Sequence, residues 1–133
     1  MKDAAFLLLA TGAIAMLAAP AVISAQTSGA AQPVSGERAF QKCYACHSLD
    51  EQEVGAQGPS LNEIVGRAVA AEPGYPYSLA MRNYARRQPR WTRAALDAFL
   101  TNPQEVVPEN DMGFFGISDP AERAALIDYL AAH

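Results

Sequence analysis

Cysteine and histidine are scarce in this 133-residue chain, with two of each. Both cysteines and one histidine fall in a single short stretch, KCYACHSL, as Cys43, Cys46 and His47, while the other histidine is His133. A structural zinc site usually takes four ligands, so this set falls short nearby. A disulfide between Cys43 and Cys46 would close so small a loop that it would constrain the unfolded chain little. A thioredoxin-like redox pair expects a strand before the motif inside a βαβ unit, and no stretch here alternates with period two. Lysine is reduced to Lys2 and Lys42, and acids outnumber bases 14 to 10 for a net charge of −4. A domain with that balance has no general reason to bind nucleic acid.

Only one long apolar run is present, AAFLLLATGAIAMLAAPAVISA, from Ala4 to Ala25. It follows Lys2, carries no charge, is broken by Pro20 and ends on the small residues Ser24 and Ala25. Residues 1–25 therefore read as a signal peptide cleaved after Ala25, with export to the periplasm. The same run could cross a bilayer, which takes ~20 residues, and then it would stay as a membrane anchor. Residues 26–34, rich in small and polar side chains, read as a flexible segment before a domain at 35–133. So small a domain builds a limited core, and a large apolar cofactor at its centre would help to hold it.

Covalent haem attachment through C-x-x-C-H is the use of the motif that the spacing favours. Residues three apart share a helix face, so Cys43 and Cys46 can reach two vinyl groups of one porphyrin. His47 follows directly and can reach the iron. A second imidazole would have to come from His133, so the sixth position falls to a methionine, and Met112 is the better candidate. It sits in VVPENDMGFFGISDP, a loop of Pro, Gly, Asn and Asp that can deliver one side chain to a fixed point; gap filling is the alternative role. Met81, in SLAMRNYARR, reads as helical and packed. A ligating histidine usually donates its other ring N–H to an acceptor. The Pro59 carbonyl in GPSL, with no competing N–H of its own, could be that acceptor, or Gly-Pro could mark an ordinary turn into a helix.

The rest of the pattern is helix and loop, giving an all-α class. Ser35 caps a helix that runs through Phe40 into the cysteine motif. A short helix is expected over Leu61 to Val65, stopping at Gly66, and another over Leu79 to Arg87, ended by Pro89. Thr92 caps RAALDAFLTN, which stops at Asn102-Pro103. Asp119, Pro120 and Glu122 open a last helix to Ala132. Its apolar face is Ala124, Ile127 and Leu130, with Leu126 and Tyr129 beside it. The first helix, with Gly36 for close approach and Phe40 as a bulky partner, is its expected neighbour.

Taken together, GERAFQKCYACH, GPSLNEIVGR, PRWTRAALDAFLTNP and VVPENDMGFFGISDPAERAALIDYL resemble the class I cytochromes c over Ser35 to Ala131. The resemblance implies a small fold of four to five helices around one covalently attached haem c, with the first and last helices packed together. It implies thioether links at Cys43 and Cys46, His47 and Met112 as axial ligands, and the Pro59 carbonyl as partner of the His47 ring. It also implies Tyr77 and Trp91 near a haem propionate with Arg67 close by, and an apolar wall of Leu61, Phe99, Phe114 and Leu126. The chain departs from the family pattern in a slightly longer segment between Tyr77 and Trp91 than the mitochondrial type has, in the missing lysine ring around the haem edge, and at two positions. Phe99 stands where many members have tyrosine, and Asp111 stands where mitochondrial members have a lysine that can displace the methionine at high pH.

A haem with both axial positions filled suits one-electron transfer rather than substrate chemistry. The expected function is thus an electron carrier, not an enzyme. It would meet redox partner proteins transiently, a cytochrome reductase or oxidase or a dehydrogenase, and touch a membrane only if the N-terminal segment is retained. A dedicated or membrane-anchored subunit of one complex is the alternative, and a haem sensor or peroxidase-like enzyme with an open iron is a third reading. Asp50, Glu51 and Glu53 form an acidic patch, and Arg82, Arg86, Arg87, Arg90 and Arg93 a basic one. Either can be solvated surface or a means of steering toward a partner.

Overall fold

Five helices make up the regular structure of residues 34–50 and 57–133, which the computed structural model describes. The apolar run at 4–25, the cleavage point after Ala25, residues 26–33, and Glu51 and Glu53 lie outside the described residues. Within the described residues no helix is long and apolar enough to cross a membrane.

Helix α1 (Gly36–Phe40) opens where expected, with the Ser35 hydroxyl accepting from the Arg38 N–H at 3.2 Å. It does not run on as regular helix into the cysteine motif. The chain continues in hydrogen-bonded turns, the N–H groups of Cys46 and His47 both donating to the Cys43 carbonyl at 3.0 Å. Helix α2 (Leu79–Arg87) starts on a Ser78 cap and ends before Pro89, and α3 (Arg93–Thr101) starts on a Thr92 cap. Asn102 then closes α3 and caps α4 (Pro103–Val106). Its Oδ1 accepts from the Glu105 N–H at 3.3 Å, and Pro103 fills the first helical position. That short helix was not expected, although Asn-Pro-x-Glu carries its start signal. Helix α5 (Pro120–Ala131) begins on Asp119, whose carboxylate accepts from the Ala121 N–H at 2.9 Å.

The expected helix over Leu61 to Val65 is absent; the chain there makes turns instead. Glu63 takes a left-handed conformation (φ 49°), and its N–H donates to the His133 carbonyl at 3.1 Å rather than to its own segment. Gly66, at φ 91°, then reverses the chain. The reversed segment runs antiparallel beside the approach to α3, with an isolated bridge between Ala68 and Arg90. Gly66 donates to the Trp91 carbonyl at 2.8 Å, Trp91 to Arg67 at 2.9 Å and Val69 to Pro89 at 3.0 Å.

Helices α1 and α5 pack at close range. A Cβ on Gly36 would lie 2.2 Å from the Ala125 carbonyl oxygen and 2.3 Å from the Tyr129 Cβ, so only glycine fits. One turn along, the Phe40 and Tyr129 rings lie 5.7 Å apart. Lys42 joins its Nζ to the Glu122 carboxylate at 2.5 Å, tying the chain after α1 to the first turn of α5. The buried face of α5 is Arg123, Leu126, Ile127 and Leu130. Ala124 was expected on that face and is exposed. Arg123 occupies the inward position because its guanidinium finds partners there. Nε donates to Asp97 of α3 at 2.8 Å, and Nη1 donates to the Ile117 carbonyl at 2.8 Å and to that of Ser118 at 3.1 Å.

Candidate haem site

The turns after α1 place Cys43 and Cys46 three residues apart, both as free, half-buried thiols. Burial pushes the Cys43 thiol up to about 11, against the opposing pull of Lys42. A thiol held protonated in this way is the reverse of a redox nucleophile, which needs a lowered pKa. The thioredoxin-like reading therefore loses its chemistry as well as its fold.

His47 lies directly beyond them, half-buried, with its Nδ1 2.7 Å from the Pro59 carbonyl oxygen. A carbonyl can only accept, so Nδ1 carries the hydrogen and Nε2 keeps its lone pair. Burial lowers the pKa of the ring, and the Pro59 hydrogen bond only partly offsets that. The imidazole is thus neutral, in one tautomer, and directed by its second nitrogen. Gly58 makes this orientation rigid. A Cβ there would lie 2.4 Å from Cε1 and 2.6 Å from Nδ1 of His47, so the backbone rests on the ring. Gly58 was not singled out from the sequence, and its only signal was its place just before Pro59.

Met112 is half-buried and packs against the core, as do Cys43, Leu61 and Phe114. Its N–H donates to Oδ1 of Asn110 at 2.9 Å. Phe99 and Leu126 are more deeply buried, within the core itself. Trp91 is buried between Tyr84 and Phe99, with ring centroids at 5.8 and 5.0 Å. The Arg67 guanidinium donates to the carbonyls of Ser60 and Asn62 and lies 3.4 Å from the Glu72 carboxylate. The Tyr77 hydroxyl accepts from the Glu72 N–H at 3.3 Å. Arg67 and Tyr77 thus meet at Glu72, Trp91 reaches Arg67 through its N–H to the Arg67 carbonyl, and the Arg67 guanidinium is already engaged by protein groups.

Among the described residues no group of three or more His, Cys, Asp or Glu could hold a bare metal ion. The donors present are a neutral, oriented imidazole, a thioether and two thiols one turn apart, beside half-buried apolar side chains. That set fits a covalently held haem, whose porphyrin supplies the remaining nitrogen ligands.

The basic patch divides into two kinds of residue. Arg93 pairs with Asp128 of α5 at 2.5 Å, and Arg90 donates to the Gly66 carbonyl at 2.9 Å. On α2, Arg82, Arg86 and Arg87 are exposed; Arg82 donates to the Tyr77 carbonyl, and none of the three pairs with a carboxylate among the described residues. Of the acidic patch, Asp50 is described and is exposed.

Comparison with known proteins places these features in a wider set. The family model described as Cytochrome c matches residues 33–133. A cytochrome c2 of Rhodomicrobium vannielii is 40% identical over 118 residues, covering 89% of this chain and 92% of that protein. A cytochrome c2 of Agrobacterium tumefaciens is 42% identical over 95 residues, covering 71% of this chain and 86% of the relative. Among solved structures, cytochrome cH from Methylobacterium extorquens superposes with a TM-score of 0.67 at 34% identity, covering 76% of this chain and 98% of that one.

Proposed function

Because the chain belongs to the class I cytochrome c family, we propose that His47 and Met112 are the axial ligands of its haem, in an exported shuttle between periplasmic or membrane redox proteins. The protein is an electron carrier and not an enzyme, holds one haem c through Cys43 and Cys46, and meets redox partners transiently. Bound there, the haem supplies a one-electron redox change with its ligands kept.

The observation that carries the ligand assignment is the 2.7 Å contact between His47 Nδ1 and the Pro59 carbonyl, which leaves Nε2 free to bind iron. Met112 would supply a soft sulfur opposite it, which favours the reduced state and raises the potential. Leu61, Phe99 and Phe114 would act in the same direction by keeping water and its dielectric away. Tyr77 and Trp91, with Arg67 behind them, would face a propionate. Export rests on residues 1–25, read as a cleaved signal.

An optical spectrum of the holoprotein tests the ligand set. The oxidised form should show a weak sulfur-to-iron band in the near infrared that disappears on reduction, and the reduced form should not bind carbon monoxide quickly. Prompt carbon monoxide binding with no such band would mean an open iron and would overturn the assignment. The mass of the protein recovered from the periplasm tests export; it should correspond to a chain beginning at Gln26. A membrane-bound product that keeps residues 1–25 would favour the anchored form instead.

A further inference from the structure

We propose that Asn110 is the positioning residue that holds Met112 at its working position, by locking the loop backbone to α4. The inference rests on Met112 being the sixth ligand, as proposed above. Asn110 is only 8% exposed, one of three polar or charged residues so deeply buried among the described residues. Its Nδ2 donates to the Pro103 carbonyl at 3.1 Å and to the Val107 carbonyl at 2.7 Å, at the two ends of α4. Its Oδ1 accepts the Met112 N–H at 2.9 Å. Both amide hydrogens and the oxygen are therefore engaged. A buried amide that loses one partner leaves a desolvated group behind, so the three bonds support one another.

A second contact comes from the outer side of α4. Gln104 Nε2 lies 3.2 Å from the Asn110 carbonyl and 3.4 Å from the Met112 carbonyl. Met112 thus has its carbonyl tied to α4 directly by Gln104 and its N–H tied to it through the Asn110 side chain. Downstream the loop is closed as well. The Ile117 N–H donates to the Leu100 carbonyl at 2.8 Å, and a Cβ on Gly116 would lie 2.1 Å from the Thr101 carbonyl oxygen.

The chemistry explains why such a lock matters. A thioether is a soft ligand and holds oxidised iron less firmly than reduced iron. The protein compensates by fixing the loop in advance, so that binding the sulfur orders little that is not ordered already. Without the lock, the loop would release Met112 more readily from the oxidised form.

Imidazole titration of the oxidised holoprotein reads that release, because imidazole must displace Met112 to bind. Asn110→Ala should raise the apparent imidazole affinity about tenfold, equivalent to ~1.4 kcal/mol. Gln104→Ala, at an exposed position that spares folding, should raise it by about twofold. Ile127→Val trims the buried face of α5, an element other than α4, and should leave it unchanged; a rise equal to that of Asn110→Ala would mean that general loosening of the core, and not the Asn110 contacts, releases Met112, and would overturn the inference. A wild type with the near-infrared band, together with an Asn110→Ala variant of wild-type imidazole affinity, would overturn this inference alone. A wild type without the band would overturn the Met112 assignment and this inference with it. Should Asn110→Ala fail to fold, amide exchange in the wild-type holoprotein decides the matter. The Met112 amide should exchange more slowly than those of Asp111 and Gly113, and equal rates would overturn the lock.

Discussion

One absent methyl group governs how His47 is held. With its backbone against the imidazole, Gly58 leaves a Cβ no room, at 2.4 Å from Cε1. Gly58→Ala should force the ring away from the Pro59 carbonyl and destabilise the holoprotein by ~1–3 kcal/mol, the usual cost of overpacking. Guanidinium unfolding would measure it, and an unchanged midpoint would show that the ring has slack. Met112→Ala should open the sixth position, lower the potential and admit carbon monoxide. If that variant keeps the near-infrared band, the sulfur belongs to Met81. At alkaline pH the oxidised wild type should resist lysine ligation. Asp111 stands next to Met112, and Lys42 is engaged with Glu122 at 2.5 Å. Asp111→Lys should bring in lysine ligation at high pH, visible as loss of the near-infrared band, whereas lysine ligation in the wild type would contradict the argument. At this scale the sequence displays chemistry well and burial poorly. Cys43, Cys46, His47 and Met112 stand out by residue type and spacing. Asn110 does not, because nothing local says that this Asn, among several polar loop residues, faces inward.

Among the helices, start signals were legible and interruptions were not. Ser35, Thr92 and Asp119 each accept from a backbone N–H of the first turn that follows them, as does Ser78, which the pattern did not single out as a cap, and α2 and α3 run between the punctuation marks that bracket them. The segment from Leu61 looks helical in composition. It breaks at Glu63, whose left-handed backbone (φ 49°) cannot continue a right-handed helix and whose N–H donates to the His133 carbonyl, far along the chain. Ala124 and Arg123 changed places for a similar reason. Apolar periodicity favours alanine inside, but Asp97 and two carbonyls outweigh it by partnering the guanidinium. Arg123→Met should therefore cost ~2 kcal/mol although it adds an apolar side chain, since the Ile117 and Ser118 carbonyls lose their donor. Stability equal to the wild type would show that water reaches those carbonyls. Gly36→Ala should separate α1 from α5 at a cost of ~1–3 kcal/mol, read from thermal or denaturant unfolding of the holoprotein.

Across the whole molecule, charge is unevenly placed. The chain is acidic overall, at −4, yet no carboxylate occurs between Glu72 and Asp97, where Arg82, Arg86, Arg87, Arg90 and Arg93 all fall. Tyr84 joins α2 to Trp91, the residue proposed to face a propionate, so this basic stretch flanks one side of the proposed haem site. Oxidation of the reduced protein by ferricyanide should therefore slow as salt is added, because attraction to the arginines is screened. A rate that rises with salt would mean that the net negative charge dominates and that electrons leave elsewhere. Replacing Arg82, Arg86 and Arg87 with glutamate should reverse the slope. The sequence lists these charges, but only the fold shows which are already spent, Arg93 on Asp128 and Arg67 on Glu72.

The arginines of α2, which pair with no carboxylate among the described residues, also bear on how the protein behaves on a column. A chain of net negative charge should pass through a sulfonate resin at neutral pH, since such resins retain cations. Contact with a bead is local, however, and a resin feels the face turned toward it more than the sum over the molecule. Holoprotein that lingers on the resin and elutes at modest salt would have found it with α2 foremost. The glutamate variant, run on the same column, would emerge with the flow.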